Sequence, residues 1–191
     1  MSNYDKILVT FKGQPFKLKE GEEAGIPRSV IRSWLENDTI ERIAHGTYRS
    51  SSYEYDTETA YIEATAIVGS TSAICLLSAL ELYNLTDQIP KKTWLMVSAD
   101  KKTTNNKIRL LRSRNPMWKI GIVEENGYQV TSIERTLVDC LIYKKLIGSS
   151  VAMEAIKEAL SSKKTKLADI IKVAKKMKVY HRIELIIEAL A

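Results

Sequence analysis

Two arginines four positions apart, Arg28 and Arg32, have the residue type and spacing needed to grip a nucleic acid. Residues i and i+4 share one face of a helix, and an arginine can donate two parallel hydrogen bonds to a guanine edge or bind a phosphate. Ser29 and Ser33 are small enough to let that face approach a duplex. The same pattern also fits a solvated helix face. The opposite face would carry Val30, Ile31, Trp34 and Leu35.

The residues before this helix predict a helix-turn-helix arrangement. Gly25 suits the left-handed residue that ends a preceding helix at about 19–24. Pro27 suits the first turn of the next helix, where its missing N–H is not needed. Gly21 should weaken the preceding helix by about 1 kcal/mol relative to alanine.

The residues after the helix predict a β-hairpin, which would serve as a wing. Strands are expected at 40–43 and 47–49, joined by a turn at Ala44-His45-Gly46. Helix, turn and wing together favour DNA binding, with the second helix in the major groove and the wing on phosphates or the minor groove. The predicted DNA contacts are Lys17, Lys19, Arg28, Ser29, Arg32, Ser33, Arg42, His45 and Arg49.

Basic residues are concentrated in two further places. The net charge is +6, and the window 101–119 holds seven basic residues and no acidic one. Such a surface can follow a phosphate backbone, although a solvated face fits the charge equally well. The predicted secondary basic surface is Lys101, Lys102, Lys107, Arg109, Arg112, Arg114, Lys172, Lys175 and Lys176.

The fold class expected from the whole chain is α+β. A winged helix-turn-helix domain at 1–52 would precede a mixed domain at 53–191 that ends in helices. Asn126-Gly127 predicts a tight hairpin between strands at 118–123 and 128–130, and Thr131 with Glu134 predicts a capping box. Further strands are expected at 93–97 and 108–111, and helices at 56–68, 71–84, 151–160, 167–178 and 180–190.

Catalytic chemistry is not indicated, and no cofactor or metal is expected. The two histidines, His45 and His181, have no nucleophile context, and no phosphate-binding glycine loop or Glu-x-Lys nuclease motif occurs. Asp100-Lys101-Lys102 is the nearest substitute and fits a charged turn better. Cys75 and Cys140 form no C-x-x-C motif. The first residues do not read as a signal peptide and no run is long enough to span a membrane, so a cytoplasmic location is expected.

Several motifs, in order and spacing, resemble the AbiEi-type antitoxin family of abortive-infection, type IV toxin–antitoxin systems. AGI-x-RS-x(2)-R followed by LE-x(3)-IERIAHGTYR resembles the family's winged helix. TSAICLLSALELYNLTDQIPKKTWLMV, TSIERTLVDCLIY and the tail from Glu158 resemble its larger domain. The likeness runs from about Phe16 to Ala191, and residues 1–15 depart from it.

The resemblance implies a repressor that binds promoter inverted repeats, with two copies expected on DNA from a monomer or dimer in solution. It also implies that the larger domain counters a nucleotidyltransferase toxin, without needing a stable complex. A plain winged-helix regulator without a toxin, or a nucleic-acid-processing enzyme, remains an alternative.

Overall fold

The computed structural model describes residues 11, 14–52, 57–69 and 71–190. The fold is mixed α+β with two sheets. The chain divides into two compact units, residues 1–70 (the N-terminal unit) and 71–191 (the C-terminal unit). The sequence placed a boundary after residue 52, whereas this division places the helix that follows in the N-terminal unit. The first ten residues, for which no signal peptide was predicted, and residue 56 lie outside the described residues.

The N-terminal unit combines helices with a small antiparallel sheet. The elements are β1 (Phe16–Lys17), α1 (Leu18–Glu23), α2 (Arg28–Glu36), β2 (Ile40–Ala44), β3 (Thr47–Ser50) and α3 (Thr57–Val68). Strand order is β1-β3-β2, with Phe16 opposite Tyr48 and Ile40 opposite Ser50. The hairpin of β2 and β3 was predicted, but the strand β1 that pairs with β3 was not.

Gly21 lets α1 pack closely against α2. A Cβ at this position would lie 3.2 Å from the Ile31 side chain and 3.3 Å from the Phe16 ring. The sequence suggested only a weakened helix, and the structure gives the reason for the glycine. Phe16, Ile26 and Ile31 are buried together there, so the lost helix propensity is offset by apolar burial.

The C-terminal unit contains a five-stranded mixed sheet. The strands are β4 (Ala73–Ile74), β5 (Thr93–Ser98), β6 (Ile108–Ser113), β7 (Ile122–Glu125) and β8 (Tyr128–Thr131). Their order is β6-β5-β4-β8-β7, in which the pairs β4–β8 and β5–β6 are parallel and the pairs β4–β5 and β7–β8 are antiparallel. The helices are α4 (Leu76–Leu82), α5 (Ile133–Ile142), α6 (Lys144–Ile147), α7 (Ser149–Ser161), α8 (Leu167–Lys176) and α9 (Glu184–Glu188), with a 3₁₀ turn at Tyr180–Arg182.

The helix expected at 71–84 is wrong over its first part. Ala73 and Ile74 form the central strand β4, and the helix begins only at Leu76. The change of direction is marked by Leu76, whose φ is +48°. An apolar run without alternation does not distinguish a buried strand from a helix, so the pairing of β4 with β5 and β8 decided the outcome.

The strand expected at 118–123 begins only at Ile122. The residues before it form turns, and a buried arginine holds them: Arg135 Nη1 donates to the carbonyl oxygens of Trp118 and Ile120, at 2.8 and 2.5 Å. Those carbonyls are therefore not paired in a ladder. The Asn126-Gly127 turn is confirmed, with both residues at positive φ.

The cap of α5 lies one residue later than predicted. Ser132 Oγ accepts the backbone N–H of Arg135 at 3.3 Å. Thr131 is fully buried instead, and its hydroxyl donates to the carbonyl of Ile74 at 3.2 Å. Glu134 accepts a hydrogen bond from Thr165, which ties α5 to the start of α8.

The closing helices agree with the sequence except at the end. The helix predicted at 180–190 is broken into the 3₁₀ turn and the short α9, with Ile183 buried between them. Among the described helices, none combines the length and the hydropathy needed to cross a lipid bilayer.

Candidate nucleic-acid interface

Helix α2 presents one polar face to solvent. The side chains of Arg28 and Arg32 are 72% and 83% exposed, and Ser29 and Ser33 are exposed beside them. Ile31 and Trp34 are buried on the opposite side, and Val30 and Leu35 are partly buried. The two faces therefore divide as the sequence indicated, and both arginines project away from the core.

A tight turn fixes the start of α2. Gly25 has φ +89°, and the backbone N–H of Ile26 donates to the carbonyl of Gly21 at 2.9 Å. Pro27 precedes the first helical residue and accepts the N–H of Val30 at 3.0 Å, so it caps the helix rather than lying inside its first turn. Because the turn is hydrogen-bonded and anchored by the buried Ile26, the direction of α2 relative to α1 is set.

Each arginine on this face is paired with a carboxylate. Arg28 Nε lies 2.5 Å from Glu22 Oε1, and Arg32 Nε lies 3.0 Å from Glu36 Oε1. The Glu22 carboxylate raises the pKa of Arg28. Within the described part of the chain, neither guanidinium donates a hydrogen bond to a protein group through its Nη atoms. The Glu36 pair follows i,i+4 helix spacing, but the Glu22 pair joins two helices and was not foreseen.

The hairpin brings further polar groups to its turn. Arg42 Nη2 lies 2.8 Å from His45 Nδ1, and Arg42 Nε donates to the carbonyl of Ala44 at 3.3 Å. A guanidinium only donates, so this contact is a hydrogen bond when Nδ1 carries no proton and accepts. Lys17 pairs with Thr47 across β1 and β3, which places it next to the same turn. Arg42, His45 and Lys17 are all exposed.

Lys19 lies on α1 and is exposed. Its ammonium is 3.5 Å from Glu23 Oε1, with the two side chains 83% and 64% exposed. Such an exposed pair contributes little to stability and is screened by salt, so a polyanion can compete with the carboxylate for the ammonium.

Arg49 does not belong to this surface, contrary to the prediction. The residue is only 8% exposed, and its guanidinium donates to the carboxylates of Glu41 and Glu63. Glu41 is its cross-strand neighbour, and Glu63 comes from α3. Strand pleating turns Arg49 towards α3, so it joins the hairpin to that helix instead of facing solvent.

The predicted secondary basic surface is exposed along the edge strand β6 and the loop before it. Arg109 stacks on Trp94 at 4.0 Å, and Arg112 Nε donates to the carbonyl of Lys101 at 2.8 Å. Lys101 is half-buried, and the other members of the set on this segment, Lys102, Lys107, Arg109, Arg112 and Arg114, are exposed.

The lysines of α8 adjoin that segment. Asn115 Nδ2 donates to the carbonyl of Met177 at 3.1 Å, which brings the end of β6 next to the end of α8. Lys172, Lys175 and Lys176 are exposed, and Lys175 lies 5.2 Å from the ring of Tyr180. The two basic stretches are therefore neighbours within the C-terminal unit, although about sixty residues separate them in sequence.

A buried polar cluster lies inside the C-terminal unit, on α5. Arg135 Nε donates to Asp139 Oδ2 at 2.7 Å, and both side chains are almost fully buried. Burial raises the pKa of Asp139 to about 6, with Arg135 opposing the shift. Burial also raises the pKa of the Cys75 and Cys140 thiols well above the ordinary value, so neither is a ready nucleophile. The cluster supports the fold rather than meeting a substrate.

No described cluster of His, Cys, Asp or Glu is suited to hold a metal ion. Asp100 is exposed and accepts a hydrogen bond from Ser98 at 2.5 Å, which lowers the pKa of its carboxyl. That geometry is a charged turn.

Comparison with known proteins finds no family model and no curated protein that matches the chain.

Proposed function

We propose that this protein is a sequence-specific DNA-binding repressor with an N-terminal winged helix, and that it acts as the antitoxin of a type IV toxin–antitoxin system. The observation that carries the DNA-binding part is the exposed face of α2. Its two arginines and two serines stand on a helix fixed by a hydrogen-bonded turn and followed by a hairpin. Helix, turn, helix and wing in this order are typical of major-groove readers.

The proposed mechanism separates base readout from phosphate contacts. Arg28 and Arg32 read guanine edges in the major groove, where a bidentate arginine–guanine pair discriminates by about 1–3 kcal/mol. Lys17, Arg42 and His45, grouped at the hairpin turn, contact phosphates or the minor groove. Contacts to phosphate fix the register of the protein and make the affinity depend on salt.

The basic surface of the C-terminal unit is a second candidate for phosphate contacts to DNA. Arg109, Arg112 and Arg114 are exposed, and the contact between Asn115 and Met177 brings the end of β6 next to the end of the lysine-bearing α8. Each phosphate that such residues neutralise steepens the salt dependence of binding. Two copies of the protein on the inverted repeats of its own promoter would repress the operon.

The antitoxin role rests on the resemblance of the sequence motifs to AbiEi-type antitoxins. The C-terminal unit would counter a nucleotidyltransferase toxin encoded next to this gene, without a stable complex. No cofactor or metal is assigned to the protein, and no catalytic activity is proposed for it.

The DNA-binding part is tested by changing Arg28 and Arg32 together to alanine. The double variant should lose specific binding to a duplex from upstream of the protein's own gene, measured by a mobility shift against shuffled DNA. Its far-UV circular dichroism should match wild type, because both side chains are exposed. A normal shift of the upstream duplex by the double variant would mean that α2 is not the reading helix.

The antitoxin part is tested by co-expression with the neighbouring open reading frame. Growth arrest by that gene alone, relieved by this protein, supports the antitoxin role. The Arg28→Ala, Arg32→Ala variant should still relieve the arrest, because neutralisation is assigned to the other unit. If the neighbouring gene is harmless, the protein is a plain regulator.

A further inference from the structure

The pairing of both α2 arginines with glutamates bears on how DNA would be read. Carboxylates beside a DNA-contacting face repel phosphates and lower the affinity for every duplex. Yet Glu22 and Glu36 lie directly against Arg28 and Arg32, and they come from different elements, α1 and α2. Each of these two carboxylates lowers the affinity of the face for any DNA. What they contribute must therefore be sought in the selectivity between DNA sequences.

Both contacts are made to the same atom of the arginine. In each pair the arginine donates a hydrogen bond from Nε, at 2.5 Å to Glu22 and 3.0 Å to Glu36. The planar guanidinium is therefore held at its inner nitrogen, and within the described part of the chain its Nη donors make no hydrogen bond to a protein group. A donor group held in this way loses less conformational freedom when it meets a base.

The carboxylates also change the balance between right and wrong sequences. Against a phosphate, an arginine already neutralised by glutamate gains less Coulomb energy than a free one. Against a guanine edge it gains two directed hydrogen bonds that the carboxylate does not replace. Specific binding is thus reduced less than non-specific binding, because only specific binding depends on the orientation of the guanidinium.

We propose that Glu22 and Glu36 are specificity-determining residues that position Arg28 and Arg32 for guanine readout and suppress binding to other DNA. This inference rests on the proposed DNA-binding function and adds to it the two acidic residues that set its selectivity. The carboxylates act through the arginines and contact no base themselves.

The test replaces both carboxylates with amides of nearly the same shape, Glu22→Gln with Glu36→Gln. Asp38→Asn is the control for the loss of one negative charge near α2. Asp38 is exposed just beyond α2, has φ +55°, which asparagine tolerates, and within the described residues forms no ion pair with either arginine. Circular dichroism of each variant checks that the fold is retained.

The probe is a library of duplexes with a randomised central segment, from which wild-type protein and each variant select binding sites. The dissociation constant is then measured by fluorescence anisotropy on the wild-type-selected duplex and on a shuffled duplex of equal composition. Wild type should select sites with fixed guanines. The Glu22→Gln, Glu36→Gln variant should bind shuffled DNA several-fold more tightly and lose about tenfold in the ratio of the two constants, with weaker guanine enrichment.

A second background shows whether the carboxylates act through the arginines. In a variant carrying Arg28→Lys and Arg32→Lys, the charge remains but the planar fork is lost. Removing the carboxylates there should leave the ratio of constants unchanged. Asp38→Asn should tighten binding to both duplexes equally.

The outcomes separate this inference from the function on which it rests. Wild-type protein that selects no sequence overturns the proposed function and this inference with it. Wild-type selectivity that persists at the same ratio in the Glu22→Gln, Glu36→Gln variant overturns the inference alone, as does an equal loss in the lysine background.

Discussion

The chain contains one kind of ion pair, an arginine with a carboxylate four residues later, in two physically different settings. Arg32–Glu36 on α2 and Arg135–Asp139 on α5 are both arginine–carboxylate pairs at i,i+4, joined through Nε at 3.0 and 2.7 Å. The first pair is 83% and 65% exposed, and the second is 1% and 2% exposed. Sequence spacing makes the two indistinguishable, and only burial separates them.

The two settings give the pairs opposite uses. The Arg32 pair leaves the guanidinium exposed, and its Nη donors, which make no hydrogen bond within the described residues, can bind a ligand while Nε stays on Glu36. Arg135 has left water completely and is satisfied only by the protein: Asp139, the carbonyls of Trp118 and Ile120, and the Met96 sulfur at 3.1 Å. An exposed pair is therefore suited to recognition, and a buried pair holds the fold.

The strongest test of this comparison is Arg135→Ala. The change leaves Asp139 buried without its counter-ion and two carbonyls without donors, so the free energy of unfolding should fall by about 3–5 kcal/mol. Urea unfolding of the full chain followed by circular dichroism measures it. Arg32→Ala is the control and should change the free energy by less than about 0.5 kcal/mol. Equal effects of the two changes would contradict the comparison.

Replacing both buried partners sharpens the interpretation. Arg135→Met with Asp139→Leu should be at least about 1 kcal/mol more stable than Arg135→Met alone, because no unpaired charge is left in the core. Recovery should stay incomplete, since the carbonyls of Trp118 and Ile120 still lack their donor. A double variant no better than the single one would show that the carbonyl contacts, rather than the charge pair, carry the stability.

Arg49 provides an intermediate case. Its side chain is 10% exposed, and its two partners differ, Glu63 being 13% and Glu41 49% exposed. Arg49→Ala should therefore cost about 1–3 kcal/mol in the N-terminal unit, less than Arg135→Ala and more than Arg32→Ala. Thermal unfolding followed by the fluorescence of Trp34, the tryptophan of the N-terminal unit, would report this loss of stability. If Arg49→Ala left stability unchanged but weakened DNA binding, Arg49 would return to the DNA-contact set.

The pH dependence of stability gives the smallest and most specific test. Because burial raises the pKa of Asp139 to about 6, the folded state holds this proton more tightly than the unfolded chain does. The stability that the buried, protonated carboxyl contributes is complete below the pKa of Asp139 in the unfolded chain, near 4. It is lost as pH rises through the folded-state pKa of about 6. Wild type should thus lose stability relative to Asp139→Asn between about pH 4 and 7. A difference that moves the other way would mean that Arg135 outweighs burial and brings the pKa of Asp139 below its ordinary value.

Local sequence determined the elements that depend on backbone conformation and periodicity. The two faces of α2, the left-handed Gly25 and the hairpin turns at Gly46 and Asn126-Gly127 all follow from residues within a few positions. The physical reason is that helical period and the sign of φ are set by the residue and its near neighbours. The sequence alone therefore predicted the exposure of every residue in the proposed DNA-contact set except Arg49.

Tertiary structure decided everything that depends on burial or on distant partners. The sequence predicted Arg49 on the surface of the hairpin, whereas the structure buries it against Glu63, which lies fourteen residues further along the chain. Glu22 became part of the α2 face because the turn at Gly25 folds α1 back onto α2, and Gly21 makes the close approach possible. The sequence shows the same charged residue or glycine whether the position is exposed or buried. The free energy of that residue in the fold depends on which distant segments exclude water around it.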